Sequence, residues 1–195
     1  MPTSTAASLQ IFPPTLADAE ELLAFESDNR AYFESWINAR SDGYYHIAAV
    51  RAAIEQAARE RDNDVAYQFL AKVGGRIVGR VNLTAVVRRY FNKAALGYRI
   101  AEQAGGQGYA SRAVELAVRE GFGAIGLWRI EADVRAANTG SQRVMERNDF
   151  RLYGKSARSM RMHGSWHDVL HFERRRDEEP SSFDDVDALL PASQR

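Results

Sequence analysis

Leu96-Gly97-Tyr98-Arg99-Ile100-Ala101-Glu102-Gln103-Ala104-Gly105-Gly106-Gln107-Gly108-Tyr109-Ala110 changes period in its middle, from two-residue alternation to a cluster of glycines. Its first part is apolar at alternate positions, Leu96, Tyr98 and Ile100, as a strand with one apolar face requires. Beyond Gly108, Ala113, Leu116, Ala117 and Glu120 recur at helical intervals, and Gly121 and Gly123 help to end the helix. A glycine-rich turn therefore joins a strand to a helix. Glycine removes the Cβ that would hold a phosphate away from the main chain, and it tolerates the dihedrals of a tight amide nest. Gly108 stands at the helix start, where unpaired N–H groups and the positive helix end both favour a diphosphate. The turn suits an anionic cofactor; an ordinary strand-to-helix connection is the competing explanation. A mononucleotide loop would end in Gly-Lys-Ser/Thr, which is absent, and a dinucleotide fingerprint belongs in an early parallel unit.

Working outward, the segments on either side fix what kind of sheet this strand joins. Val65–Val73 and Arg76–Val87 flank Gly74-Gly75, the pattern of an antiparallel hairpin, and Ala94–Ile100 follows as the next strand. The glycine turn thus comes after an antiparallel meander, which argues against the dinucleotide reading. Towards the start, Thr15 followed three residues later by Asp18 has the form of a capping box and predicts a helix through Ser27. Phe33, Trp36 and Ile37 suggest a second short helical face, and Ile47–Arg61 reads as a third helix through Val50, Ile54, Ala57 and Ala58. Downstream, the pattern predicts a helix over Tyr109–Phe122, a strand over Leu127–Val134 and a helix over Thr139–Arg147. Two final strands, Arg151–Met162 and His167–Arg174, bracket His163-Gly164-Ser165.

A chain of 195 residues with 45% apolar and 10% aromatic composition can close one sizeable core, expected here as a single domain over residues 9–175. Residues 176–195 turn polar and acidic, with Asp177, Glu178, Glu179, Asp184, Asp185 and Asp187, and are expected to form a flexible tail. Lys plus Arg and Asp plus Glu each total 26, so no net field draws the protein to nucleic acid or an anionic membrane. The absence of cysteine excludes disulfides, thiolate zinc sites and a cysteine nucleophile. Met1–Ser8 has neither a basic segment nor a long apolar run, and no stretch approaches 18 apolar residues; a cytoplasmic location is the expectation.

The combination resembles the GCN5-related N-acetyltransferase (GNAT) superfamily. Gln103-Ala104-Gly105-Gly106-Gln107-Gly108 matches its Gln/Arg-x-x-Gly-x-Gly/Ala signature for the pyrophosphate of acetyl-CoA. Asn138-Thr139-Gly140-Ser141 with Glu146-Arg147-Asn148-Asp149-Phe150 looks like its second cofactor-contacting helix. The nearer resemblance, over Leu9–Arg174, is to the RimJ/RimL type of ribosomal-protein N-terminal acetyltransferase. It is carried by Leu16–Leu23, Asn29-Arg30, Trp36, Trp128–Asp133 and Ser165–Leu170. The resemblance implies an α/β (α+β) fold: a mixed, mostly antiparallel twisted sheet with flanking helices, its central strands Ala94–Ile100 and Leu127–Val134 splayed apart. It implies acetyl-CoA as cofactor, held by Ile100, Gln103, Ala104, Gly105, Gly106, Gln107, Gly108, Tyr109, Ala110, Asn138 and Arg147. Where the family has glycine, this chain has Asp149, which leaves the exit of the second helix open.

Acetyl transfer needs a neutral amine. An N-terminal amine has a reference pKa of about 7.7–8.0 and a lysine one of about 10.4, so the lack of an obvious strong base favours an α-amine. Asp133 is the first base candidate, expected beside the thioester and on one strand face with Glu131; a structural ion pair is the competing role for either. Ser141 is the candidate proton donor to the leaving sulfur, and Asn138 competes between the pantetheine arm and capping its own helix. Many relatives carry a tyrosine seven residues after that asparagine; this chain has Met145. Trp36, Glu131, Trp166 and His167 are the acceptor-site candidates, with Tyr44, Tyr45, Tyr90 and Phe91 as further loop aromatics. His163, His167 and His171 make no convincing metal constellation, and no metal is expected. The acceptor is expected to be a protein N-terminus, that of a ribosomal protein by the resemblance, attacked directly in a ternary complex. A small amine or aminoacyl antimicrobial is the alternative acceptor. A non-catalytic acyl-CoA-binding or protein-interaction module is the third reading. Direct nucleic-acid and membrane binding are not expected, and monomer and homodimer both stay open.

Overall fold

The computed structural model describes Ser8–Arg176; residues 1–7 and the tail from residue 177 onward lie outside the described residues. The first half runs β1 (Gln10–Phe12), α1 (Ala19–Asp28), α2 (Arg30–Glu34), α3 (Ile47–Asp62), β2 (Tyr67–Val73), β3 (Arg76–Val87) and β4 (Lys93–Ile100). The second half runs α4 (Tyr109–Phe122), β5 (Arg129–Arg135), α5 (Thr139–Arg147), β6 (Arg151–Met162) and β7 (Ser165–Arg175). Every expected helix and strand is present to within a few residues. The short edge strand β1 was not anticipated, because three residues are too few to declare an alternation.

The strands form a seven-stranded sheet in the order β1-β2-β3-β4-β5-β7-β6. All neighbours are antiparallel except β4 and β5, so the sheet is mixed and mostly antiparallel. The parallel pair is short: Lys93 opposes Arg129, Ala94 opposes Ile130 and Ala95 opposes Glu131, and there the ladder stops. On its other side β4 stays paired with β3 as far as Ile100, and β5 stays paired with β7 as far as Arg135. The sheet therefore opens between β4 and β5, beyond Ala95 and Glu131.

Two helical layers cover the sheet. On one face α4 buries Ala113, Val114, Leu116, Ala117 and Val118 against Val81, Leu83, Ala94, Leu96 and Ile130, with Met145 of α5 in the same cluster. Each fully buried Val or Leu there contributes about 1.5–3 kcal/mol. Gly121 lets α4 lie close to the sheet: a Cβ would fall 2.7 Å from Ile130 Cδ1 and 3.1 Å from Leu83 Cδ1, so those methyls would have to move. Asn148, buried, ties the two helices of this layer by donating to the carbonyls of Ser111 and Val144 at 3.2 and 2.9 Å. On the opposite face Leu22, Phe25, Phe33, Val50 and Ile54 of α1–α3 pack on Leu70 and Ile77. The Asp18 carboxylate accepts from the Thr15 N–H at 2.8 Å and meets Lys72 Nζ at 2.5 Å, fixing α1 to the sheet. Asp149 adopts φ of +58°, the left-handed conformation that a glycine takes freely and that Asp tolerates better than most side chains. Among the described residues no helix is long and apolar enough to cross a membrane.

Candidate functional site

The gap between β4 and β5 is where the functional groups gather. After Ile100 the Ala101 N–H donates to the Val78 carbonyl at 2.9 Å, and the chain then leaves the sheet through a 3-10 turn at Glu102–Ala104. Gly106 and Gly108 sit at φ of +73° and +79°, where other residues would be strained. A Cβ at either would meet nothing within 4 Å, so the space over these amides is open. Among the described residues no hydrogen bond uses the N–H of Gly106, Gly108, Tyr109 or Ala110. Four free amides thus converge at the N-terminus of a 14-residue helix, an arrangement made for an anion.

These amides line one side of a cavity of about 570 Å³. Its walls include Ile100, Ala104, Gly105, Gly106, Gly108, Tyr109, Ala110 and Ser111 from β4 to α4. From α5 come Asn138, Thr139, Gly140, Ser141, Arg143, Val144 and Arg147, and Tyr32, Phe33 and Trp36 close the near end. Asn138 Oδ1 accepts from the Ser141 N–H at 3.0 Å, so the side chain caps α5 while it lines the cavity. The Ser141 Oγ reaches back across the gap to the Tyr98 hydroxyl, 2.7 Å away. Burial pushes the Tyr98 phenol above its ordinary value, against an opposing effect of the Ser141 hydrogen bond, so it is protonated at neutral pH.

A second cavity, of about 490 Å³, opens on the α1–α3 side of β4. Phe33, Tyr98 and Arg99 belong to both cavities, so the two meet at the splayed strand. Ile37, Arg40, Tyr44, Ala53, Gln68, Arg80, Asn82 and Gly97 complete the second. At its floor Glu26, 2% exposed, accepts through Oε1 from Arg80 at 2.9 Å and from Arg99 at 2.5 Å. Arg80 also donates to Gln68 Oε1 at 2.7 Å and to the Tyr44 hydroxyl at 3.3 Å. Burial pushes the Arg99 guanidinium below its ordinary value; Glu26 opposes this, and the charges of Arg80 and Arg40 add to it. Asn82 Oδ1 is buried with no hydrogen-bond partner.

Nine of the eleven expected cofactor residues line the first cavity, and so do Ser141 and Trp36. Gln103 and Gln107 do not: the Gln107 side chain donates to the Gln103 carbonyl at 3.1 Å, and both side chains lie on the outside of the turn. Asp133 also lies apart from both cavities. Its carboxylate is 2.7 Å from His171 Nδ1, whose Nε2 is 2.7 Å from Ser156 Oγ, an arrangement on the exposed sheet surface. Glu131 pairs with Lys93 and Arg129 and lines neither cavity. Trp166 and His167 stand on the β6–β7 hairpin, in register with Arg161 and Met160, and line neither cavity. The tip of that hairpin docks on α2, with His163 Nε2 2.8 Å from the Glu34 carbonyl. Tyr98, Arg80, Asn82 and the Arg99 side chain also line these cavities, and no local pattern in the sequence marks them out. Met145, at the position where a catalytic tyrosine was sought, is fully buried in the core.

Residues 8–151 match the family described as the acetyltransferase (GNAT) domain. The chain is 32% identical over 163 residues to the probable N-acetyltransferase YjcK of Bacillus subtilis (strain 168), covering 83% of this chain and 90% of that protein. In fold it is similar to the ribosomal-protein-S5-alanine acetyltransferase from Vibrio fischeri, with a TM-score of 0.83 at 22% identity over 88% of this chain and 96% of the other. It is likewise similar to Mycobacterium smegmatis RimJ in complex with CoA-disulfide, with a TM-score of 0.81 at 24% identity over 89% and 85% of the two chains.

Proposed function

The chain belongs to the GNAT family of acetyltransferases, and on that premise we propose that it acetylates the N-terminal α-amine of a protein, a ribosomal protein in the manner of the RimJ/RimL type. The observation that carries this reading is the meeting of two cavities at Tyr98 and Arg99, with the Tyr98 hydroxyl bonded to Ser141 of the first cavity.

The first cavity fits acetyl-CoA. The free amides of Gly106, Gly108, Tyr109 and Ala110 are the donors for its diphosphate, Arg147 and Arg143 are the cations beside them, and Asn138 and the end of β4 are left for the pantetheine arm. Bound there, the cofactor supplies the thioester. Ser141 donates a proton at the sulfur, and Tyr98, protonated at neutral pH, supports that hydroxyl through their hydrogen bond.

The second cavity is the acceptor's side. Asn82 Oδ1, buried and lacking a donor, accepts an N–H of the incoming amine. The guanidiniums of Arg40, Arg80 and Arg99 disfavour the ammonium form in this cavity. An α-amine, already partly neutral near pH 7, then needs no dedicated carboxylate base. The amine would attack the thioester carbonyl directly in a ternary complex, the C–S bond would break, and the proton shed by the new amide nitrogen would pass through the Ser141 hydroxyl to the departing sulfur, leaving Ser141 as it began.

An acetyl-CoA-dependent screen tests this. It compares peptides with free Ala, Ser or Met termini, blocked peptides with an internal lysine, and small amines. Modification confined to free peptide termini is the expected result, and preference for a small amine would overturn it.

A further inference from the structure

We propose that the second cavity is a carboxylate-binding subsite, which selects acceptors carrying an acidic group close to the amine that is acetylated. The inference rests on reading that cavity as the acceptor side of an N-acetyltransferase.

Three guanidiniums, Arg40, Arg80 and Arg99, line the cavity, and no Asp or Glu does. The one carboxylate in contact with them, Glu26, is already shared by Arg80 and Arg99 through a single oxygen. The nearest other acids are engaged elsewhere: Glu34 with Arg30 and Tyr45, and Glu60 with Gln56 and Gln68. Arg40 takes part in no ion pair among those of the described residues; its guanidinium lies over the Tyr44 ring, 4.1 Å from the centroid. Two positive charges are therefore left over in a partly desolvated cleft, and Arg40 faces it with no carboxylate partner among the described residues. Unpaired charge away from bulk water is costly in a finished core. It is what a site looks like when its missing partner is an anionic ligand, and planar guanidiniums suit a carboxylate in particular.

The volume, about 490 Å³, suits one or two residues rather than a long peptide. The carboxylate is therefore one near the amine. In a peptide it is the side chain of an Asp or Glu in the first residues; in a free amino acid it is the α-carboxylate. Asn82 and the arginines divide the acceptor between them: the amide oxygen takes the amine, and the guanidiniums take the acid.

The test uses matched peptides beginning Ser-Asp, Ser-Asn and Ser-Lys, together with free serine and serinamide. Acetylation is measured as kcat/KM, and binding to the CoA-loaded protein by calorimetry. The Ser-Asp peptide is expected to exceed the Ser-Asn peptide by about tenfold in both readings, with Ser-Lys weakest, the effect of one charge-assisted contact. Arg40→Gln should reduce the Asp-to-Asn ratio, and Arg40→Lys should restore part of it, which separates charge recognition from a general loss of fold. Equal values for Ser-Asp and Ser-Asn, or a preference for Ser-Lys, overturn the carboxylate subsite while leaving N-terminal acetylation standing. Acetylation of free serine over serinamide, with no peptide modified, supports the subsite and overturns the peptide acceptor. Where turnover is absent on all five, the calorimetric ratio alone decides: about tenfold tighter binding of Ser-Asp supports the subsite and parity overturns it.

Discussion

The Tyr98 hydroxyl of β4 and the Ser141 Oγ of α5 lie 2.7 Å apart, joining a strand and a helix on opposite sides of the gap in the sheet. Tyr98 lines both cavities and Ser141 the first, so the contact ties the shared strand to the wall of the first cavity. It also supplies a tyrosine to a site whose α5 carries Met145, buried, in the position where many relatives have one.

Removing the pair should therefore affect chemistry more than binding. Ser141→Ala is expected to lower the single-turnover rate about 100-fold and Tyr98→Phe about tenfold, since general acids contribute on this scale. Acetyl-CoA affinity, measured by equilibrium titration, should change little in either. An unchanged rate in Ser141→Ala would remove that residue from the mechanism.

The pH profile follows from which groups titrate. With a peptide acceptor, kcat/KM should rise with pH as the α-amine loses its proton and level off above about pH 8. The Tyr98 phenol is held above its ordinary value by burial, so its protonated form persists and no alkaline fall is expected below about pH 10. A rate that climbs steadily to about pH 10 would instead indicate a lysine acceptor.

Asp133 gives a prediction of the opposite kind. Its carboxylate is exposed and bound to His171, away from both cavities. Asp133→Asn should keep kcat/KM within about twofold between pH 6 and 9, as surface changes of this kind do. A collapse of the rate with an acid shoulder would restore Asp133 as the base.

Glu26 carries the structural load beneath the second cavity. Glu26→Gln leaves Arg80 and Arg99 without their shared carboxylate in the interior, and breaking a buried pair in this way costs about 3–5 kcal/mol. Urea denaturation should read that loss directly. A variant of unaltered stability would mean that solvent or a ligand already neutralises the arginines.

How much of this was legible in the sequence depends on distance along the chain. The glycine turn, its strand and its helix are local, and Gly106 and Gly108 announce left-handed backbone by being the residues that adopt it freely. Tyr98 was visible only as one more residue on the apolar face of a strand with Leu96 and Ile100. It becomes a site residue because the β4–β5 ladder ends at Ala95, a fact about pairing that no single segment records. The arginines of the second cavity were hidden for the same reason: Arg80 and Arg99 reach Glu26 across 54 and 73 residues of sequence. Trp166, an aromatic loop candidate, is 58% exposed on its hairpin and lines neither cavity, because hairpin register and not residue type decides where it sits. Asp133 and Glu131 were placed on the right strand, but the register of β7 puts His171 opposite Asp133, and Lys93 reaches Glu131 from β4.

The central claim is that the free amides at the start of α4 grip the diphosphate of CoA. Equilibrium titration of CoA against Gly108→Glu, with Gly108→Ala as control for the backbone strain at φ of +79°, tests it most directly. The account predicts that the Glu variant binds about 100-fold more weakly than the Ala variant, because a carboxylate then faces the diphosphate in the nest. Equal affinity in the two folded variants would contradict it.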